Sequence, residues 1–328
     1  MIRNISVVIF LIILMISSCS KDGELPENDV SLTKNDINIE YVKLNYNLVG
    51  IDFLNNDLGF AIESNGKIIK TINSGSTWEV LYTSHLELID LQFIDENLGF
   101  VIGKNQDNFF LLNTADGGLT FEEILIPEGQ ELTKLLFTNS NIGFIIGFDT
   151  VLKTVNGGRL WTKTALDFNI YSDIFKTNDN EMLLCGLNGT LLKSTNYGND
   201  WSEINLNTTS HIYEIKQFEN TYFLMGQSII KTNFSKTQEF SMPANFNGAQ
   251  VFDNTTILGF GYLFPELGYF QDGAIYISND SGKTWETIIY SEFNRINTVD
   301  FIDSKNGFGI ADDFFLKTQF LLKFKISK

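Results

Sequence analysis

Arginine, cysteine, histidine and proline are all scarce in this 328-residue chain, and each shortage closes off something. Two cysteines, Cys19 and Cys185, allow at most one disulfide, and none if Cys19 is otherwise engaged. The two histidines, His85 and His211, lie in different parts of the chain and with Cys185 make no zinc-ligand spacing. They read as solvated or core residues, and Cys185 as a small buried hydrophobe. Only four prolines occur, and no segment repeats its apolar residues at a helical period. There is no Gly-x-Ser-x-Gly elbow, no phosphate-cradling glycine loop and no EF-hand loop. Basic side chains are also short, 23 Lys and Arg against 40 Asp and Glu, for a net charge of −17. Such a surface repels phosphate backbones, which argues against nucleic acid or anionic lipid as the main ligand.

What is present begins with an address. Arg3 precedes ISVVIFLIILMI (5–16), an apolar run too short to span a bilayer but right for a signal peptide. Ile16-Ser17-Ser18-Cys19 follows and resembles a bacterial lipobox, with Cys19 as the lipidated mature N-terminus. The plainer alternatives are an ordinary signal peptide with an incidental cysteine, or an uncleaved anchor. Ser20-Lys21-Asp22-Gly23-Glu24 looks like the charged tag that sends some Bacteroidetes-type lipoproteins to the outer surface. The expected layout is a signal peptide over 1–18, a polar tether over 19–37 and a folded domain over 38–328. Loss of Arg3 with the signal leaves the mature chain formally at −18. Membrane contact is expected through the lipid alone.

The folded part is a repeat. An eight-residue box recurs as TINSGSTW from Thr71, TADGGLTF from Thr114, TVNGGRLW from Thr154, STNYGNDW from Ser194 and SNDSGKTW from Ser278. A degraded copy, TNFSKTQE, starts at Thr232. Ahead of each box runs a second motif, FLNNDLGFAI (53–62) in the first unit and FIDSKNGFGI (301–310) in a seventh that has no box. Between the motifs lie short β-branched and aromatic runs separated by Asn, Asp, Gly and Ser. Four strands every forty residues or so predict an all-β chain, a seven-bladed β-propeller of four-stranded antiparallel blades.

In this frame the box is a turn between third and fourth strands. Its third position carries a short acceptor (Asn73, Asp116, Asn156, Asn196, Asp280) able to bind the turn's own N–H groups. Its fifth carries Gly (Gly75, Gly118, Gly158, Gly198, Gly282), as positive φ requires. Its eighth carries a bulky wedge, Trp78, Phe121, Trp161, Trp201 or Trp285. The seventh unit lacks a fourth strand, while INIEYVKLNY (37–46) is a strand without a blade. Residues 38–46 are therefore expected to pair with the C-terminal strand and close the ring. The alternative makes FFLKT and FLLKFKIS separate third and fourth strands.

These motifs together resemble the Ycf48-like branch of the BNR/Asp-box propellers, over essentially all of residues 45–328. The resemblance implies the propeller fold and, from its photosynthetic members, a scaffold that holds a partner protein through an arginine-rich patch. This chain departs there, because its mature part has only Arg159 and Arg295. The photosystem role is accordingly not expected, and the arginine triad with which sialidases hold a carboxylate cannot form. No metal or cofactor is implied. The expected function is a surface-anchored, non-enzymatic, monomeric binding or assembly scaffold for a protein or glycan partner. The competing reading is a glycoside hydrolase or lyase using a carboxylate pair, although no pair stands out among the acids. A long connection in the sixth unit, GYLFPELGYFQDG (261–273), offers Tyr262, Phe264, Tyr269 and Phe270 as a contact surface. Its plain alternative is a loop folded back on its own blade.

Overall fold

The computed structural model describes residues 31–328 apart from 107, 128–130, 165, 167–168, 179, 243–244 and 264–270. It is a ring of seven four-stranded antiparallel sheets, and the only helical elements among the described residues are two three-residue 3-10 turns. The seven first strands, Leu48–Phe53, Glu87–Phe93, Leu132–Phe137, Tyr171–Lys176, Ile212–Phe218, Asn245–Val251 and Arg295–Phe301, neighbour one another around the central axis. The alternation of short apolar runs with turn residues is therefore a blade pattern, as the sequence predicted.

Apolar side chains do not gather in one core. Seven buried clusters form, each shared by two adjacent blades. A blade is a thin sheet that cannot bury its own faces, so each face is covered by a neighbour. The motif ahead of each box supplies a clamp at several of these seams. Phe93 of blade 2 stacks on Phe60 of blade 1, and Phe137 of blade 3 on Phe100 of blade 2, both at 3.5 Å between centroids. Phe53 of blade 1 stacks in the same way on Phe308 of blade 7. The glycine of the motif makes room for this. A Cβ at Gly59 would come within 2.5 Å of the Phe53 ring, and one at Gly143 within 2.5 Å of Phe137.

The box behaves as a turn. In blade 6 the Gly282 N–H donates to Ser278 Oγ (2.8 Å) and the Thr284 N–H to Asp280 Oδ1 (2.9 Å). The Ser281 N–H reaches the Thr255 carbonyl of the neighbouring turn in the same blade (2.8 Å), so boxes and first-to-second-strand turns share one face of the ring. Gly282 has φ +95°, and a Cβ there would come within 3.2 Å of Ile229 of blade 5. Box tryptophans wedge edge-on against aromatic rings, Trp78 on Phe53 and Trp161 on Phe137. Even the degraded box turns, because Asn233 Oδ1 accepts the N–H groups of Ser235 and Lys236.

The ring closes as expected. Ile37–Lys43 pairs antiparallel with Thr318–Ile326, from Ile37 opposite Ile326 to Lys43 opposite Phe320, as the outer strand of blade 7. Residues 314–317 form the turn before that single long strand, so FFLKT is not a strand of its own. Packing also starts earlier than the sequence placed it. Leu32, expected within the tether, is buried against blades 6 and 7, and its N–H and C=O both bond the Asn279 side chain at 2.8 Å.

Two outcomes follow from this packing. Truncation through residue 46 should sharply lower the urea midpoint, and Leu32→Ala alone should cost about 2–4 kcal/mol. A midpoint unchanged by the truncation would show that the N-terminal strand does not hold the ring. Gly282→Val, which puts a β-branched residue at positive φ, should cost roughly 1–3 kcal/mol. An unaltered melting temperature would contradict the strained turn.

Candidate partner-binding face

Opposite the boxes, the first strands begin and the channel opens. All seven first strands carry a β-bulge there, with register shifts at Leu48/Gly50, Leu88/Asp90, Leu132/Lys134, Tyr171/Asp173, Ile212/Glu214, Phe246/Gly248 and Ile296/Thr298. A bulge adds one residue to a strand and re-aims its side chain. The shifts let Lys134, Tyr213, Glu214, Phe246, Asn247 and Thr298 line a cavity of about 460 Å³.

Acids on the first strands tie the blades together. Asp52 of blade 1 accepts the Phe93 N–H of blade 2. Asp90 accepts from Leu135 at 2.8 Å, Gln92 from Phe137 at 2.7 Å, Asp173 from Ile215 at 2.8 Å and Glu214 from Ala249 at 3.1 Å. Asp300 of blade 7 accepts from Phe53 of blade 1 at 2.7 Å. At the two remaining seams Lys134 pairs with Asp173 at 2.5 Å, and the Asn247 amide donates to the Ile296 carbonyl at 2.7 Å. Every seam is thus stapled by a side chain.

Burial pushes the Asp52 carboxyl up to about 7, against the Phe93 N–H and with help from Asp300 and Asp90. Burial likewise lifts Asp90 to about 6, opposed by the Leu135 N–H and Lys134, and it raises Asp300. Burial pulls the Lys134 ammonium down, but the Asp173 carboxylate more than offsets this and the net direction is up. Raised carboxyl groups are what a general acid needs, yet each of these acids spends an oxygen on the next blade. Their burial has a structural cause.

The same face carries an apolar tip. Phe314, Phe315 and Leu316, in the turn before the last strand, are 47, 61 and 68 % exposed. Asn294 Oδ1 accepts the Phe314 N–H, and Asp313 Oδ1 accepts those of Phe315 and Leu316, at 2.7 to 3.0 Å. These bonds fix the backbone of the turn. Beside it, Tyr46, Asn47, Asp313, Phe314 and Lys317 line a groove of about 710 Å³ at the seam of blades 7 and 1.

Of the contact residues expected from sequence, Tyr262 lies in the second strand of blade 6 on this side, and its carbonyl accepts the Tyr276 hydroxyl at 2.9 Å. Phe264, Tyr269 and Phe270 lie outside the described residues, as does Cys19. All fifteen box positions are turn and seam residues. His211 Nδ1 accepts the Asn188 N–H at 3.0 Å, His85 sits 3.8 Å from Glu123, and Cys185 is fully buried in blade 4. The sequence reading missed the staples and the Phe314–Leu316 tip. One signal was present: a polar residue just before the recurring Phe, as in Asp52-Phe53, Gln92-Phe93 and Asp300-Phe301.

Residues 80–170 and 122–211 match the family model described as photosynthesis system II assembly factor YCF48. Over residues 80–211 the chain is similar to the BNR propellers of that family. A structure of YCF48 bound to a D1 peptide is similar at 16 % identity and TM-score 0.67, over 91 % of this chain and 99 % of that one. YCF48 from Cyanidioschyzon merolae is similar at 17 % identity and TM-score 0.65, over 88 % of this chain and 98 % of that one. The GH74 enzyme of Niastella koreensis follows at 15 % and 0.61, over 83 % of this chain but only 53 % of its own. At these identities the solved structures share the fold alone. No curated protein matches the sequence.

Among the described residues the ring builds no arginine patch. Arg159 sits in the box of blade 3 and bonds Glu122 at 2.8 Å. Arg295 lies on the opposite face, over the Phe314 ring at 5.3 Å.

The staples make a pH prediction. The Asp52 pKa is raised on folding, so its contribution is full below the ordinary carboxylate range and is lost as pH rises through about 7. Asp52→Asn keeps an acceptor for Phe93 without the charge. It should exceed the parent by roughly 1–3 kcal/mol at pH 8, and by less at pH 5. Asp52→Ala, which strips the acceptor, should be less stable than Asp52→Asn at both pH values. An Asp52→Asn advantage in parallel urea melts that is no larger at pH 8 than at pH 5 would refute the assignment.

Proposed function

We propose that this chain is a non-enzymatic binding scaffold, held at the bacterial outer surface by a lipid on Cys19, whose channel-mouth face receives a segment of a partner protein. The observation that carries the reading is the Phe314–Leu316 tip, an exposed apolar turn fixed by hydrogen bonds beside an open groove. Exposed aromatic side chains on a rigid frame supply contact area at little entropic cost. A similar propeller has been solved with a D1 peptide bound, which supports a peptide-binding use of the frame. An arginine-dependent mode does not transfer, because neither arginine of the folded part has a second beside it.

The test is affinity purification of the tagged, full-length protein from producing cells, alongside the Phe315→Ser/Leu316→Ser variant and a box-face control, Lys283→Ser. A protein that co-purifies with parent and control but falls at least tenfold with the tip variant is the expected result. Equal recovery with all three would place the site elsewhere. Release of reducing ends from any polysaccharide at a turnover rate would overturn the non-enzymatic reading.

A further inference from the structure

The box face carries two features that neither the turn chemistry nor the partner reading uses. The first is where the chain leaves it. Leu32 is clipped by both of its backbone groups to Asn279, the second residue of the blade 6 box, and the C-terminal Lys328 pairs with Asp36 at 3.2 Å beside it. The described chain therefore begins, at residue 31, on the box face. The second is a set of bare aliphatic side chains on blades 1 to 3. Ile72 and Val155 at box position two are 74 and 65 % exposed, Leu119 at position six 74 %, and Leu160 at position seven 73 %. The blade 6 box has Asn279, Lys283 and Thr284 at the same three positions, so the box turn itself does not require apolar residues there.

We infer that the box face lies against the lipid bilayer, with Ile72, Leu119, Val155 and Leu160 in its interfacial layer and the channel mouth turned away. The inference rests on the lipidated Cys19 of the proposed function. From Cys19 to Leu32 is thirteen residues, a reach of about 45 Å at full extension. A first strand of seven residues is roughly 23 Å tall, so presenting the other face would make the chain climb the whole side of the ring. More than half its reach would be spent before it approached the membrane. With the box face inward none of that reach is needed to pass the side of the ring. A lipid chain by itself holds a domain loosely, and a second apolar contact on the same side fixes its orientation. The tip at Phe314–Leu316 then points to where a partner arrives.

The experiment uses the full-length protein in phosphatidylcholine vesicles containing a lipid-borne quencher. An environment-sensitive dye is attached at Leu160→Cys or, separately, at Phe315→Cys; the buried Cys185 is protected from labelling. Acylation of Cys19 is read independently by mass. The expected result is acylated Cys19 with quenching at least fivefold stronger at position 160 than at 315. Acylated protein with equal or reversed quenching overturns the orientation while leaving the anchor standing. An unacylated Cys19 overturns the anchor, and the orientation with it.

Discussion

Each seam of this ring is crossed by a hydrogen bond or ion pair from an inner-strand side chain, and the rest of the architecture depends on those crossings. Sheet hydrogen bonds stop at the edge of each blade, so nothing in the β-ladder itself joins one blade to the next. Apolar burial at the seams holds blades together but is nondirectional. The carboxylates and amides of the first strands add direction. Five seams use a backbone N–H given to an acid or amide oxygen, one uses the Lys134–Asp173 pair and one the Asn247 amide. An unmade bond at such a site would leave a half-buried donor without water, which is why the register between blades is strongly specified.

The same economy shapes the outer parts of the seams. A phenylalanine from one blade lies between a glycine of its own second strand and a phenylalanine of the preceding blade. Box glycines do double duty, accepting positive φ and leaving space for an aliphatic side chain such as Ile229. The two repeated motifs therefore serve one purpose, close approach of adjacent sheets. Where the motif decays, as at Met182 in blade 4 or Tyr222 in blade 5, other contacts fill the gap, for example Tyr222 stacked on Phe234 at 4.7 Å.

Charge is distributed with the same logic. Acids collected around the channel pay a desolvation cost at neutral pH, visible in the raised carboxyls of Asp52 and Asp90. Box carboxylates do the opposite: the Thr120 hydroxyl and N–H hold the Asp116 carboxyl down to about 2. The inner ring thus loses stability as pH rises and the outer turns lose it as pH falls.

Much of this was legible in the residues alone, because a repeat writes local physics many times over. The spacing of Thr71, Thr114, Thr154 and Ser194, the acceptors at Asn73 and Asp116 and the glycines at Gly75 and Gly118 report turns, and turns are decided by a few neighbouring residues. Counting strands in the last unit was enough to place Ile37–Lys43 at the ring's closure. What the sequence could not decide are partners distant along the chain. The Phe53 N–H finds Asp300, and Leu32 finds Asn279, each across 247 residues. The bulges that open the channel mouth and the exposure of Phe314–Leu316 arise only when seven sheets meet around an axis. So does the face from which the N-terminal segment departs, because the side of a ring has no meaning until the ring is closed.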